Sequence, residues 1–70
     1  MTRIYVRLLN EGTEVFRPAD AQEAEDGLFK LLSPPDYDSI DEEWEFQPGV
    51  MVRVERRKDR SGDFLIAVKP

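Results

Sequence analysis

The chain has 70 residues, of which 40% are hydrophobic and 36% are charged, and its formal net charge is −5. A chain of this length is expected to form a single domain, residues 1–70, with a small core. Cysteine and histidine are both absent, which excludes disulfides and thiolate zinc sites and removes the commonest general base. We therefore predict no catalytic residue, no metal site and no cofactor. No apolar run is long enough for a leader or a membrane span, so a cytoplasmic protein is expected.

The first predicted elements are two strands joined as a hairpin. Apolar and polar residues alternate in RIYVRLL, which predicts a strand with Ile4, Val6 and Leu8 facing inward. The Asn and Gly of NEGT, residues 10–13, suit a tight turn, and EVFR then resumes an extended pattern. Pro18 cannot donate to a ladder, so the second strand either bends there or has an open edge.

The next segment is predicted to contain one strand between two irregular stretches. ADAQEAEDG, residues 19–27, has helix-forming residues but no apolar stripe, so we expect it to be irregular or a single turn. Asp26 and Gly27 are typical of a hairpin turn, and LFKLL after them predicts the third strand. The following SPPDYDSIDEE has two prolines and many acids, which predicts a long acidic loop.

This loop belongs to the acidic part of the chain. Residues 20–45 carry ten acids and a single base, for a net charge of −9. Ser39 and Glu42 have the spacing of a capping box, which would allow one helical turn in the loop. Such a turn would stack Ile40 near Trp44.

The last two strands have the most regular pattern. Gln47-Pro48-Gly49 predicts a turn, after which the alternation in VMVRVERR predicts a strand with three inward residues: Val50, Val52 and Val54. The residues predicted to face water are Arg53, Glu55 and Arg57. KDRSG then closes a hairpin, and DFLIAVK is the last predicted strand.

Five short strands joined by tight turns and one long acidic loop predict an all-β fold, a small five-stranded antiparallel barrel. Four segments stand out in chain order: IYVRLLNEGTEVFRPADA, DGLFKLL, DEEWEFQPGVMVRVE and SGDFLIAV. With these motifs the chain resembles a set of short bacterial proteins, and it is similar in layout to SH3-type barrels. The resemblance implies an SH3-like barrel and no established activity. Because the ALYDY-like stretch and the paired tryptophans of peptide-binding SH3 domains are missing, it implies no ligand residues.

Candidate binding residues cluster between the third and fourth predicted strands. Trp44 and Phe46 lie on one side if that segment is extended, with Tyr37 and Ile40 just upstream. These side chains either form a patch for a protein partner, since Trp and Tyr are frequent at interface hot spots, or close one end of the barrel as a lid. The predicted partner-binding residues are Tyr37, Asp41, Glu42, Glu43 and Trp44.

Charged residues suggest further interpretations. Asp36, Asp38 and Asp41 alternate as calcium ligands do, but Ile40 occupies a ligand position and no glycine follows, so a solvated loop is expected. A group of basic residues on the fourth strand and its turn is a candidate contact for nucleic acid: Arg53, Arg56, Arg57, Lys58 and Arg60. The net negative charge of the chain opposes such binding. A third hypothesis is that the acidic loop folds over this strand and pairs with its outward arginines.

These observations favour a non-enzymatic protein-interaction module that presents the acidic loop and a strand edge to a protein partner. The alternative is a nucleic-acid-associated barrel that uses the strand and turn from Arg53 to Arg60. The domain is expected to be a monomer or a weak homodimer with no membrane contact.

Overall fold

The computed structural model describes residues 1–38, 40 and 42–70 and shows a closed barrel of five β-strands. The elements in chain order are β1 (Thr2–Arg7), β2 (Phe16–Glu23), a 3-10 turn (Glu25–Gly27), β3 (Phe29–Leu31), β4 (Met51–Asp59) and β5 (Gly62–Val68). The predicted all-β fold with five strands is confirmed. No helical segment in the described ranges is long and apolar enough to span a bilayer.

Strand direction explains how the barrel closes. Strands that follow one another in the chain pair antiparallel, from β1 with β2 to β4 with β5. β1 and β5 meet in parallel, with Tyr5 opposite Ile66. When five strands alternate in direction, the first and the last run the same way. The barrel is therefore antiparallel except at this closing pair.

β2 extends through a segment that was predicted to be irregular. Residues 19–23 pair with β1 and β3, so the prediction is wrong for ADAQE. Ala19 and Ala21 face inward and are buried. They lie opposite Ile4 and Leu31, whose larger side chains fill the space that the two methyl groups leave. Strand pairing has here overridden the helix-forming composition.

Pro18 lies in β2 where that strand has an open edge, as predicted. It is opposite Tyr5 of β1, whereas β3 pairs only with residues 21–23. A proline is tolerated at such a position because no second neighbouring strand needs its N–H. The turn predicted at Asp26 and Gly27 is present as the 3-10 turn, in which both residues have positive φ, 59° and 75°.

The β4–β5 hairpin is built largely as predicted. Val52 is fully buried and Val54 half-buried, but Val50 precedes the strand and is 40% exposed, so the prediction that it faces inward is wrong. Val50 belongs to the preceding turn, where its N–H donates to the Gln47 carbonyl at 3.3 Å. The outward residues of β4 are exposed as predicted: Arg53, Glu55 and Arg57.

The core is one cluster inside the barrel, with contributions from all five strands. Trp44, from the segment between β3 and β4, is the largest of the fully buried side chains. The other members are Ile4, Val6, Ala19, Ala21, Leu31, Val52 and Ala67. Most of these side chains are small, so each large one carries a considerable share of the buried apolar area.

Candidate functional site

The acidic segment, residues 36–45, is anchored to the end of β1 by its backbone. Two hydrogen bonds join them, from Leu9 N to the Glu43 carbonyl at 2.7 Å and from Glu45 N to the Arg7 carbonyl at 2.9 Å. Between these bonds, Trp44 lies opposite Leu8 in an isolated antiparallel bridge. The second half of the acidic segment therefore continues the barrel wall.

Trp44 belongs to the core. Its side chain is 2% exposed, and the Tyr37 ring packs edge-on against it, with centroids 5.0 Å apart and ring planes at 72°. The Tyr37 hydroxyl donates to Gln47 Oε1 at 2.9 Å. This arrangement agrees with the lid interpretation, in which large rings close one end of the barrel. In this position the Trp44 ring has no surface to offer a partner.

Two hydrogen bonds tie Asp38 to the chain just before Trp44. Glu42 N donates to the Asp38 carbonyl at 2.9 Å, and the Ile40 N–H donates to Asp38 Oδ1 at 2.9 Å. Asp38 therefore accepts one hydrogen bond with its carbonyl and one with its side chain, as Asp commonly does with nearby N–H groups. Ile40 is left 91% exposed, so its predicted stacking near Trp44 is wrong. The predicted capping box depends on Ser39, which lies outside the described residues, as does Asp41 of the predicted partner-binding set.

Glu42 links the acidic segment to β2. Its Oε1 forms an ion pair with Arg17 Nε at 3.5 Å, although this nitrogen makes no hydrogen bond. The same oxygen accepts the Trp44 Nε1–H at 3.3 Å. Arg17 also pairs with Asp36. The side chains of Arg17 and Glu42 are only 26% and 19% exposed. Water screens this pair less than a fully exposed one, so it contributes more to the packing of the segment.

The acidic segment does not cover β4, and the hypothesis that it pairs with the β4 arginines is wrong for the described residues. The described carboxylates of the acidic segment that form ion pairs do so with Arg17. Arg57 of β4 lies 3.4 Å from Glu14 Oε2 in the β1–β2 loop, and Arg53 donates to the Asp26 carbonyl at 2.9 Å. The segment bonds to Arg7 and Leu9 at the end of β1, and from there its carboxylates reach Arg17 of β2.

Several carboxylates of the acidic segment remain on the surface. Asp38, Glu43 and Glu45 are exposed, and the Asn10 side-chain amide donates to Glu43 Oε2. Within the described part of the chain, no three acidic side chains converge as metal ligands would. The exposed acids of the segment leave uncompensated negative charge at the surface, here called the acidic patch.

A second cluster, which the sequence analysis did not single out, lies on the outer face of the barrel. Tyr5, Phe16 and Phe64 form this cluster, here called the aromatic trio. The Phe64 ring packs edge-on against Tyr5 with centroids 5.5 Å apart and against Phe16 at 6.0 Å. All three side chains are half-buried. Alternation in β1 already predicts that Tyr5 faces outward, but only the pairing of Tyr5 with Ile66 brings Phe64 beside it.

The aromatic trio lines one side of a cavity of about 440 Å³ at the β4–β5 turn. The other side is formed by the turn itself, with Asp59, Ser61, Gly62 and Asp63. Asp59 Oδ1 accepts the Ser61 N–H at 2.8 Å. Gly62 follows with φ 123°, a value that L-residues with a side chain rarely adopt. By strand alternation Asp59 shares the face of Phe64, as do Arg57 and Arg7, the cross-strand neighbours of Phe64 and Phe16, whereas Asp63 lies on the opposite face.

Comparisons of the chain with protein-family models, with curated proteins and with solved structures found no match. Both surfaces are therefore interpreted from the geometry and charge of the described residues.

Proposed function

We propose that the protein is a non-enzymatic interaction module whose acidic segment docks on a basic surface of a partner protein. The observation that carries the proposal is the fixed display of negative charge at one end of the barrel. Backbone bonds to β1 and the buried Trp44 side chain hold the segment in place. Among the described residues, Arg17 is the one cation that pairs with its carboxylates. Three further acids are exposed: Asp38, Glu43 and Glu45.

An ordered acidic patch favours association with a basic partner for two reasons. A segment that is already held by the barrel loses little conformational entropy when it binds. Negative charge also attracts a basic protein before contact, over a screening length of about 10 Å at 0.1 M salt, and so raises the rate of association. The net charge of −5 acts in the same direction.

The test compares two triple variants that remove the same number of charges. Asp38→Asn, Glu43→Gln and Glu45→Gln neutralise the patch but keep oxygen acceptors for the Ile40 and Asn10 donors. Binding of a fluorescent deca-lysine peptide, and of a basic protein captured from the native cell, is followed by stopped flow at low and at physiological salt. We expect association to slow by about tenfold at low salt and its salt dependence to flatten, with a smaller change in dissociation.

The matched control neutralises Glu23, Glu25 and Glu55, which are exposed elsewhere on the barrel. It should keep most of the association rate, because the overall charge contributes less than the local patch. If both triple variants slow association equally, net charge alone explains the binding and the proposed docking surface is wrong.

A nucleic-acid-associated barrel is the second candidate. Three basic side chains at the β4–β5 turn are exposed and have no ion pair among the described residues: Arg56, Lys58 and Arg60. For this function, the acidic triple variant should bind a mixed-sequence oligonucleotide more tightly, since its carboxylates repel phosphate. Replacement of the three basic residues by glutamine should weaken that binding and reduce its salt dependence.

The proposal includes two finer statements about class and place. An SH3-type identity for the barrel is supported by its five strands and by the short β3 between two longer hairpins. A cytoplasmic location is supported by the cysteine-free composition, which suits a reducing compartment.

A further inference from the structure

The outer half of β4 has a neighbouring strand on one side only. β5 pairs with β4 from Arg53 to Asp59, whereas β3 pairs with it only at Met51 and Val52. Beyond Val52, the side of β4 that faces β3 has no backbone partner among the described residues. This side of residues 54–59 is here called the β4 edge.

Strand alternation identifies the backbone groups that point into the β4 edge. The Leu31 N–H donates to the Val50 carbonyl at 3.0 Å, so the backbone of Val50 is directed toward β3. The N–H and C=O groups of alternate residues in a strand point to the same side, so every second residue from Val50 onward shares this direction. Beyond β3 these residues are Val54, Arg56 and Lys58. The β4 edge therefore offers both donors and acceptors to a further strand.

The other open edge, formed by residues 16–20 of β2, is blocked by its own sequence. The Leu32 N–H donates to the Asp20 carbonyl at 3.0 Å, so the backbone groups of Asp20 and Pro18 point away from β1. Pro18 has no N–H, and an added strand would lack a donor at the centre of this edge. The β4 edge contains no proline. Of these two edges, the β4 edge is the one suited to accept a strand.

The side chains along the β4 edge are predominantly basic. Arg56 and Lys58 are exposed and have no ion pair among the described residues. Residues two apart in a strand lie on the same face, so these two cations border one face of the edge. Arg57 lies on the other face, 3.4 Å from Glu14 Oε2. An added strand would therefore meet two free cations beside unpaired backbone groups.

This combination of groups selects an acidic polypeptide over other ligands. An extended chain supplies both N–H and C=O groups, whereas a phosphate supplies acceptors only and would leave the carbonyls of the edge unpaired. A second copy that paired symmetrically along the same edge would bring the cations of both chains together, which like charge opposes. Carboxylates at alternate positions of an antiparallel strand would instead lie opposite Arg56 and Lys58.

We propose that the β4 edge binds an extended acidic segment of a partner protein, which adds to the sheet as an antiparallel strand. Its backbone bonds to Val54, Arg56 and Lys58, and its alternate carboxylates pair with the two cations. The β4 edge is distinct from the acidic segment and opposite to it in charge. The inference therefore goes beyond the proposed function and does not depend on it.

The probe is an acetylated and amidated peptide, Thr-Glu-Val-Glu-Val-Thr, titrated into the isotope-labelled full chain and followed by NMR. Amide hydrogen exchange is measured at each residue of β4. Bound peptide should slow exchange at Val54, Arg56 and Lys58, whose N–H groups point into the open edge. Exchange at Glu55 and Arg57 should stay unchanged, because their N–H groups point toward β5.

Two N-methylated forms of the peptide test whether the backbone is recognised. In the antiparallel arrangement, the residues opposite Arg56 and Lys58 direct their N–H groups into the edge, and the residues between them direct theirs to solvent. N-methylation of both glutamates should therefore abolish binding. N-methylation of both valines is the matched control, with the same charge and the same side chains, and should leave most of the affinity intact.

Two double variants test the side-chain contacts. Arg56→Gln with Lys58→Gln removes both cations and should weaken peptide binding by about two- to tenfold, as expected for two exposed charge pairs. The matched control, Arg3→Gln with Lys69→Gln, removes the same charge from exposed positions outside β4 and should change the affinity by less than about twofold. Melting temperatures confirm that each variant is folded.

Four results would overturn the inference. Unchanged exchange at the three amides would show that no strand is added. Equal affinity for the two N-methylated peptides would show that the backbone is not recognised. Equal weakening by the two double variants would show that net charge alone attracts the peptide. Protection of the edge by an oligothymidine, with none by the peptide, would assign the basic residues to nucleic acid.

Discussion

Val52 is the position at which a single substitution should unfold the domain. It is fully buried in β4 and lies opposite Phe29 of β3, within the core cluster that contains Trp44. Val52→Asp would place a carboxyl group in this cluster. Arg53→Ser, at the adjacent and exposed position, alters the same strand without touching the core.

The size of the effect follows from three terms. Loss of the valine burial removes about 1.5–3 kcal/mol. Keeping the new carboxyl neutral at pH 7, about three pH units above its ordinary pKa of about 3.9, costs about 4 kcal/mol. Burial of the neutral group without a partner adds about 1–3 kcal/mol. A 70-residue domain has a free energy of unfolding of about 4–10 kcal/mol, so most Val52→Asp molecules should be unfolded at neutral pH.

Urea titrations followed by tryptophan fluorescence measure this effect, because Trp44 is the only tryptophan and is buried. Val52→Asn is the matched control for polarity. Burial raises the pKa of the introduced carboxyl, so its excess cost over asparagine is absent below about pH 3.9 and grows as the pH rises. The two variants should converge near pH 4 and diverge at pH 7. If Val52→Asp and Arg53→Ser melt alike, the assignment of inward and outward positions in β4 is refuted.

Two other substitutions test the packing of Arg17 and the turn at Gly62. Arg17→Met should lower the free energy of unfolding in urea by about 1–3 kcal/mol, because Glu42 loses its cation. Arg3→Met, at the exposed 3.8 Å pair with Asp20, should change it by less than about 0.5 kcal/mol, and equal effects would contradict a structural role for Arg17. Gly62→Ala should destabilise the domain by more than about 1 kcal/mol, because its φ is 123°. No atom lies near an added Cβ, so the cost would come from the backbone and not from a clash. D-alanine at this position in a synthetic chain should restore the melting temperature, and a neutral effect of L-alanine would rule out backbone strain.

The sequence predicts strands well where β-branched or large apolar residues alternate with polar ones. Ile4, Val6 and Val52 are all buried, in the strands where the pattern placed them. The prediction fails for ADAQE because its inward residues are alanines. Alanine carries little hydrophobic signal and has a high helix propensity, so only the neighbouring strands decide its conformation.

The candidate sites were less predictable because they depend on which strands become neighbours. Tyr37 and Trp44 are close in sequence, and their packing was open to prediction from the aromatic pattern alone. The pairing of Arg17 with Glu42 spans 25 positions, and no local pattern indicates it. The aromatic trio likewise requires β1, β2 and β5 to lie side by side, which only the closure of the barrel establishes.

The acidic segment has two kinds of carboxylate, and this division determines how its function is to be tested. Glu42 stabilises the fold, because it joins Arg17 to the buried Trp44 indole. Glu43 and Glu45 contribute backbone bonds to β1, but their charged groups lie at the surface. Neutralising Glu42 would disturb the packing that holds its neighbours in place, so a loss of binding would not distinguish unfolding from lost attraction. Substitution of Glu43 and Glu45 by glutamine removes their charges and keeps an oxygen acceptor for Asn10, so these two positions report on the docking surface.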